Sequence, residues 1–453
     1  MNLNSAKNIF CIGIGGIGLS ALARLLHWRG KKVIGSDLVR GAVTESLKQL
    51  GIQIHIGQPK PTHISRETEV VIHSLAIPND HPELLEAKKR KLTLLSYPAA
   101  LGELTRRKKL ITVSGTHGKT TTTALLGQVL VKADWDPTII VGSLVPKFDG
   151  NARLGKSDTY VLEADEYGRA FLNYRPRVAI ITNIEPDHLD VYRDLRDIQE
   201  TFTQFLKNVD RKGFIVANAD DQTVQSALKT IKVPVITYGI NQGEYRAEKI
   251  RYGRRAVFIE KHLGQVELGL AGRHNVLNAL AVIACAHKLG IPPEIIKKSL
   301  THFTGVWRRF ELVGKFQGAL VISDYAHHPT ELKATLESAR EAHPGRRIIA
   351  VFQPHQRSRT KKLFHEFAHA FASADKVILT EIYDVAGRET GSTHISSFQL
   401  AEAIKKSGQD VQFAKDFHAA KHLIKKMVSP RDLILVMGAG TIDNLARELV
   451  IKK

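Results

Sequence analysis

The chain has 453 residues, room for about three domains of ordinary size, and its 43% hydrophobic and 24% charged content excludes wholesale disorder, collagen-like repeats and a small disulfide-stapled module. Its two cysteines, Cys11 and Cys285, each stand in an apolar run and read as core residues of a protein from a reducing compartment; no apolar run is long enough to span a bilayer. The net charge of +20 is spread along the chain, +9 over residues 1–109, +5 over 110–312 and +6 over the remainder, which speaks for a solvated surface and against a nucleic-acid-binding tail.

From the N-terminus, NIFCIGIG reads as a strand, LSALARLLHWRG as a helix and KKVIGSD as a second strand. Lys7 and the apolar stretch after it loosely mimic a secretory signal, but the glycines fit a strand-turn-helix better. Gly13, Gly15 and Gly18 form G-x-G-x-x-G at that turn, and Asp37 ends the next strand nineteen positions after Gly18. Small residues there let the backbone approach a diphosphate, whose charge suits a helix N-terminus; tight packing is the plain alternative.

A second unit opens with LITVSG followed by the helical TTTALLGQVLVKA. Between them, Gly115, Gly118, Lys119 and Thr120 form a phosphate-binding loop, shortened because Val113 stands where the usual spacing has glycine. Backbone amides would cradle nucleotide phosphates, Lys119 would reach the outer phosphate oxygens and Thr120 would ligate Mg²⁺. Two strand-like runs then end in acidic clusters: Glu163, Asp165 and Glu166 in EADE, and Glu185, Asp187, His188 and Asp190 in NIEPDHLD. Carboxylates at strand ends beside phosphates suit Mg²⁺, a hard cation that prefers oxygen; helix capping is the alternative use.

An amphipathic helix is expected from Asp194, an antiparallel decoration over residues 235–270, and a helix opened by His274, Asn275 and Asn278, which either cap it or bond a base. A third unit repeats the alternation with RRIIAVFQ, KVILTEIY and LILVMGAG. It carries Arg308 and Arg309, whose guanidinium forks suit phosphates, DYAHHP with Asp324, Tyr325, His327 and His328, and FQPHQRSRT with His355, Arg357 and Arg359. Gly438 and Gly440 suit a phosphate turn or mere packing. The alternation predicts three α/β units with mostly parallel sheets, divided as 1–107, 108–312 and 313–453. The boundaries fall in a turn-prone stretch from Pro98 to Lys109 and near Gly314.

In order along the chain, GIGGIGLSALA, GTHGKTTTT, EADE, TNIEPDHLD, HNVLNA, GVWRRFE, DYAHHPTE, FQPH with SRT, and MGAG resemble the Mur ligase family, most closely the branch that joins L-alanine to UDP-N-acetylmuramate. The resemblance implies an ATP-dependent ligase of peptidoglycan biosynthesis that works through an acyl phosphate, with an N-terminal Rossmann-like domain, a central P-loop ATPase domain and a C-terminal Rossmann-like domain. It reassigns the first loop, Gly13, Gly15, Gly16, Ile17 and Gly18 with Asp37 and Ser74, to the UDP-sugar. It implies that Gly115, Thr116, His117, Gly118, Lys119, Thr120, Thr121, Asn275, Asn278, Arg309 and Asp324 bind ATP, and that Thr120, Glu163 and His188 hold Mg²⁺. Tyr325, His327 and Arg359 would surround the amino acid, and Lys119, Glu163, His188, Arg309 and His327 would serve catalysis. His73 stands where the family often has serine, Gly168 where it has aspartate, and Trp307 in a slot more often small or basic; HQRSRT shifts the arginine at 357. The implied partners are UDP-N-acetylmuramate, L-alanine and ATP, with no specific nucleic acid or membrane, in a cytoplasmic monomer or homodimer. The rival readings are a recycling ligase that attaches the L-Ala-D-Glu-diaminopimelate tripeptide, an NAD-dependent protein built on the first loop, and a nucleic-acid binder.

Overall fold

The computed structural model describes residues 3–148, 150–384 and 395–451. They form two compact units, one of residues 1–187, 191–246 and 278–299, the other of residues 188–190, 247–277 and 300–453.

The first unit contains two sheets. The N-terminal one has five parallel strands in the order Gln53–Ile56, Lys32–Asp37, Asn8–Ile12, Val70–His73, Thr93–Ser96. Chain order reverses between Asn8–Ile12 and Val70–His73, so a ligand crevice is expected above the carboxyl ends of that pair. The larger sheet has eight strands with Lys109–Ser114 inside it, flanked in parallel by Val178–Ile181 and Thr159–Glu163. Only the edge pair, Thr138–Val145 with Gly150–Arg153, is antiparallel. The helix Lys119–Lys132 is buried from Thr120 to Leu130 with no polar stripe, as a helix enclosed by its own domain must be. By contrast, Leu195–Leu206 is amphipathic: Asp194 caps it through Asp197 N at 2.9 Å, and Ile198, Phe202, Phe205 and Leu206 face inward.

Two expectations need correction here. The stretch from Pro98 is helical over Tyr97–Thr105, because Ser96 caps it and proline fits the first turn, where its missing N–H is not needed. Val235–Gly239 and Tyr245–Arg246 extend the eight-stranded sheet in parallel; they pair in register with Phe214–Asn218 and with each other, so the antiparallel decoration begins later.

The second unit carries that decoration, the three-stranded antiparallel sheet Glu248–Arg251, Ala256–Glu260, Gly264–Leu268. Its main sheet has six strands in the order Glu311–Phe316, Ala319–Asp324, Leu433–Met437, Ile348–Phe352, Lys376–Thr380, Val411–Ala414, parallel except for the first. Gly314 therefore lies inside an edge strand of this sheet, not in a linker. Along Ile348–Phe352 the side chains alternate between two cores: Ile348, Ala350 and Phe352 join Phe367 and Phe371, while Ile349 and Val351 join Leu445 and Leu449. A parallel sheet covered on both faces demands such continuous apolar strands. No helix of the described residues is long and apolar enough to cross a membrane.

Candidate active site

At the crevice of the five-stranded sheet, the first glycine loop is tied down by its neighbours. Gly13 N and Ile14 N donate to Ser36 O at 2.9 and 3.0 Å, and Gly16 N donates to Gly13 O at 3.1 Å. Asp37 Oδ2 accepts Gly15 N at 2.8 Å, so this carboxylate braces the loop from behind. The amides of Ile17, Gly18 and Leu19 open the helix Ile17–Trp28, and first-turn amides are what an anion takes. Ser74 follows the neighbouring strand, its N bonded to Ile12 O at 3.1 Å. The His73 ring nitrogen Nδ1 meets the Ser74 carbonyl at 3.0 Å.

The second loop leaves Lys109–Ser114 and enters Lys119–Lys132. It is laced to the next strand end: Thr116 N donates to Asn183 O at 3.0 Å, His117 N to Asn183 Oδ1 at 2.8 Å, and Thr182 Oγ1 to His117 O at 2.6 Å. The loop passes so close that a Cβ on Gly115 would lie 2.1 Å from Thr182 Oγ1, and its φ of +136° admits only glycine without strain. Gly118 starts the helix beside Asn278.

Lys119 Nζ donates to Gly115 O at 2.6 Å, Thr116 O at 3.1 Å and both Glu166 oxygens at 3.0 and 2.9 Å, with Asp165 3.9 Å away. Burial works against the ammonium, but the carboxylates of Glu166, Asp165 and Glu163 outweigh it and hold its pKa above the ordinary lysine value. Burial pushes the Glu166 carboxyl upward, and the Lys119 charge pulls it back. Thr120 Oγ1 donates to Glu163 Oε1 at 2.8 Å, and Glu163 Oε2 accepts Gly142 N at 2.6 Å. A hydroxyl and a carboxylate in contact are the all-oxygen donor set that Mg²⁺ prefers. Thr121 is buried in the first helical turn. His188 belongs to the second unit, with φ +51°, so Thr120 and Glu163 are the members of that trio that the first unit brings together. Asn275 also lies in the second unit, its amide donating to Ala271 O at 2.8 Å.

In the second unit, the carboxyl ends of three adjacent strands gather the remaining residues. Asp324 ends its strand buried, accepting Phe310 N at 2.7 Å and Ala326 N at 2.8 Å. Burial raises its pKa, with the charge of Arg309 opposing. The Arg309 guanidinium lies 5.0 Å from the Tyr325 ring centre and 3.9 Å from Glu331. His327 Nδ1 faces two acceptors, Tyr325 O at 3.1 Å and Glu331 Oε2 at 3.2 Å, which assigns the proton to Nδ1 and leaves Nε2 as the basic nitrogen. Arg359 Nη1 approaches His355 Nδ1 at 3.3 Å, and the His355 ring stacks on Tyr383.

Three expectations change. Arg308 is engaged by the carbonyls of Gly438 and Gly440 and buried, so it holds the MGAG turn and is no phosphate clamp. That turn is a packing device, with a Cβ on Gly440 2.6 Å from Gln353 Oε1. Arg357 donates to Asp384 at 2.9 Å and Ile395 O at 2.6 Å, which leaves Arg359 as the arginine of its motif facing histidine. His328 caps the helix Pro329–Ala342 through Thr330 N at 3.3 Å. At the positions that depart from the family pattern, Trp307 lies beside the Arg308 guanidinium, and Gly168 takes φ +58° against Leu75. Asn183 and Glu331 escaped the motif reading as site residues, although each stands inside a quoted motif, and Glu166, read there as a carboxylate for Mg²⁺, pairs with Lys119.

Residues 8–109 match the Mur ligase family catalytic domain, residues 113–286 the Mur ligase middle domain and residues 308–440 the Mur ligase glutamate ligase domain. The chain is 42% identical over 451 residues to the UDP-N-acetylmuramate–L-alanine ligase of Salinibacter ruber, covering 97% of this chain and 94% of that protein. The chain belongs to the Mur ligase family. As a Mur ligase it is also 40% identical over 450 residues to the UDP-N-acetylmuramate–L-alanine ligase of Aquifex aeolicus, covering 98% and 97% of the two chains. Among solved Mur ligase structures, the UDP-N-acetylmuramate-alanine ligase of Thermotoga maritima superposes with a TM-score of 0.85 at 30% identity, covering 98% of each chain. The murein peptide ligase of Psychrobacter arcticus gives 0.73 at 27% identity, again over 98% of each chain.

Proposed function

We propose that this Mur ligase joins L-alanine to the lactyl carboxylate of UDP-N-acetylmuramate at the expense of ATP, in peptidoglycan biosynthesis. The observation that carries the reading is the Lys119–Glu166 and Thr120–Glu163 pair of contacts at the phosphate loop, in the same unit as a separate glycine loop at the crevice of a parallel sheet. Two anion sites suit two phosphate-bearing substrates. Similarity to L-alanine ligases over nearly the whole chain supports the choice of amine.

A carboxylate oxygen is a poor leaving group and phosphate a good one. The lactyl carboxylate takes the γ-phosphoryl group from ATP, ADP departs, the alanine amine attacks the acyl carbon and phosphate leaves. Lys119 supplies positive charge where the phosphoryl group transfers. Thr120 and Glu163 would hold Mg²⁺, with His188 as the third ligand carried over from the family; bound there, the ion neutralises phosphate charge. Thr116, His117, Thr121, Asn275, Asn278, Arg309 and Asp324 complete the ATP side, and Ile17, Gly18 and Ser74 meet the UDP-sugar. His327 Nε2 accepts a proton from the alanine ammonium, and Arg359 pairs with its carboxylate. The first domain limit is 107/108, the second falls before Glu311, which opens the edge strand of the six-stranded sheet, and the substrates assign the reaction to the cytoplasm.

The test is phosphate release with ATP, Mg²⁺ and UDP-N-acetylmuramate, offered L-alanine, the L-Ala-D-Glu-diaminopimelate tripeptide, or no acceptor. Release that requires L-alanine and yields UDP-N-acetylmuramoyl-L-alanine supports the reading. Release with the tripeptide alone replaces it by the recycling reaction, and release with neither overturns both.

A further inference from the structure

Tyr97 follows Ser96, the last residue of the strand Thr93–Ser96, and opens the helix Tyr97–Thr105. It therefore stands at the same carboxyl edge of the five-stranded sheet as the glycine loop and Ser74. Its ring rests on the loop: a Cβ on Gly18 would lie 2.7 Å from Cε1 and Cζ and 2.9 Å from the hydroxyl oxygen. No side chain other than glycine leaves space for the ring at that point. Ser96 Oγ accepts Ala99 N at 3.4 Å, which fixes the start of the helix and hence the place of the ring.

The Tyr97 side chain is partly exposed, and among the described residues its hydroxyl has no hydrogen-bond partner. A phenol at this edge of the sheet with no partner among the described residues keeps its O–H available to a bound ligand. Burial pushes the phenol well above its ordinary pKa of 10.0, and Tyr174, Glu163 and Asp165 act in the same direction. Two consequences follow: the group remains a neutral donor at any working pH, and it stands within electrostatic reach of the carboxylates beside the phosphate loop.

We propose that the Tyr97 hydroxyl binds the acceptor substrate, donating a hydrogen bond to a diphosphate oxygen at the first turn of Ile17–Trp28. This rests on the UDP-sugar reading of the glycine loop. A neutral donor adds a directional contact to the helix amides without changing the charge of the crevice, so it fixes where the diphosphate sits and thereby how the remote carboxylate is presented.

The experiment uses the full chain with Tyr97→Phe, which keeps the ring on Gly18 and removes only the hydroxyl. Calorimetric titration without ATP gives Kd for UDP-N-acetylmuramate and for UDP alone, and steady-state assays give the KM of each substrate. The expected result is a rise of about tenfold or more in Kd for both ligands and in KM for the UDP-sugar, the scale of one hydrogen bond to an anion. KM for ATP and for L-alanine, and the unfolding midpoint, stay at wild-type values. Unchanged Kd in Tyr97→Phe overturns the proposal, as does weakened UDP-sugar binding with UDP binding intact, which would move the contact to the sugar. A lowered unfolding midpoint with matching loss for every substrate also overturns it, in favour of a packing role. If the wild-type chain binds neither UDP ligand, the UDP-sugar reading itself fails and takes the proposal with it.

Discussion

Removing the Lys119 ammonium separates its structural role from its chemical one. In Lys119→Ala, Glu166 keeps a side chain only 3% exposed and loses the cation 2.9 Å away. A carboxylate stranded in that way takes up a proton. Even beside Lys119, burial raises this carboxyl from 4.5 to about 8, and without the cation it rises further; once the pH would ionise it, the loss is on the scale of about 3–5 kcal/mol for breaking a buried pair. In the variant the folded pKa of Glu166 lies above its unfolded value. Its contribution is fully present below 4.5 and is lost as pH rises in both proteins, but the loss stops near 8 in wild type and continues in the variant, so the deficit against wild type grows by up to about 1.4 kcal/mol per pH unit above about 8. Urea unfolding followed by circular dichroism at several pH values from about 6 to about 10 measures it. Lys119→Ala with Glu166→Gln removes the stranded carboxyl and regains most of the stability, while phosphate release remains at least about a hundredfold below wild type. A deficit that does not shrink as pH falls from about 10 to about 8, or a double variant no more stable than the single one at the alkaline end, would refute the reasoning.

Gly115→Ala is expected to cost at least about 2 kcal/mol, since φ of +136° strains any side chain and the new Cβ meets Thr182 Oγ1 at 2.1 Å and Asn183 backbone at 2.9 Å; thermal unfolding and ATP affinity should both fall. Asp324→Asn removes a carboxyl whose folded pKa is raised by burial, so the wild-type-minus-variant stability should decline as pH rises above 3.8; a difference that instead increases contradicts the burial argument. Burial pushes the Cys11 and Cys285 thiols up to about 12, so a thiol reagent at pH 8 should label neither in the native protein and both in denaturant, and rapid native labelling would mean that one of the cores opens.

The features that were legible in the sequence are those whose physics is local. A strand, a tight glycine turn and a helix are consecutive in the chain, so Gly13 to Gly18 and Gly115 to Thr120 declared both anion sites, and alternating strands and helices declared parallel sheets. The Ser96 cap was equally local, and the helix at Tyr97 was missed because Pro98 reads as a breaker unless its place in the first turn is known. What the sequence could not decide is which of several like side chains faces the site. Glu163 meets Thr120 while Glu166 meets Lys119, and Arg308 turns to the Gly438 carbonyl while Arg309 flanks Tyr325; adjacent or nearly adjacent residues take opposite directions according to strand register and the turn that follows. Asn183 lies 66 residues from the His117 amide that it holds, and Tyr97 lies 79 from Gly18. Such partners become neighbours only when parallel strands bring their carboxyl ends to one edge of a sheet, a pairing set by long-range packing that no short stretch of sequence encodes.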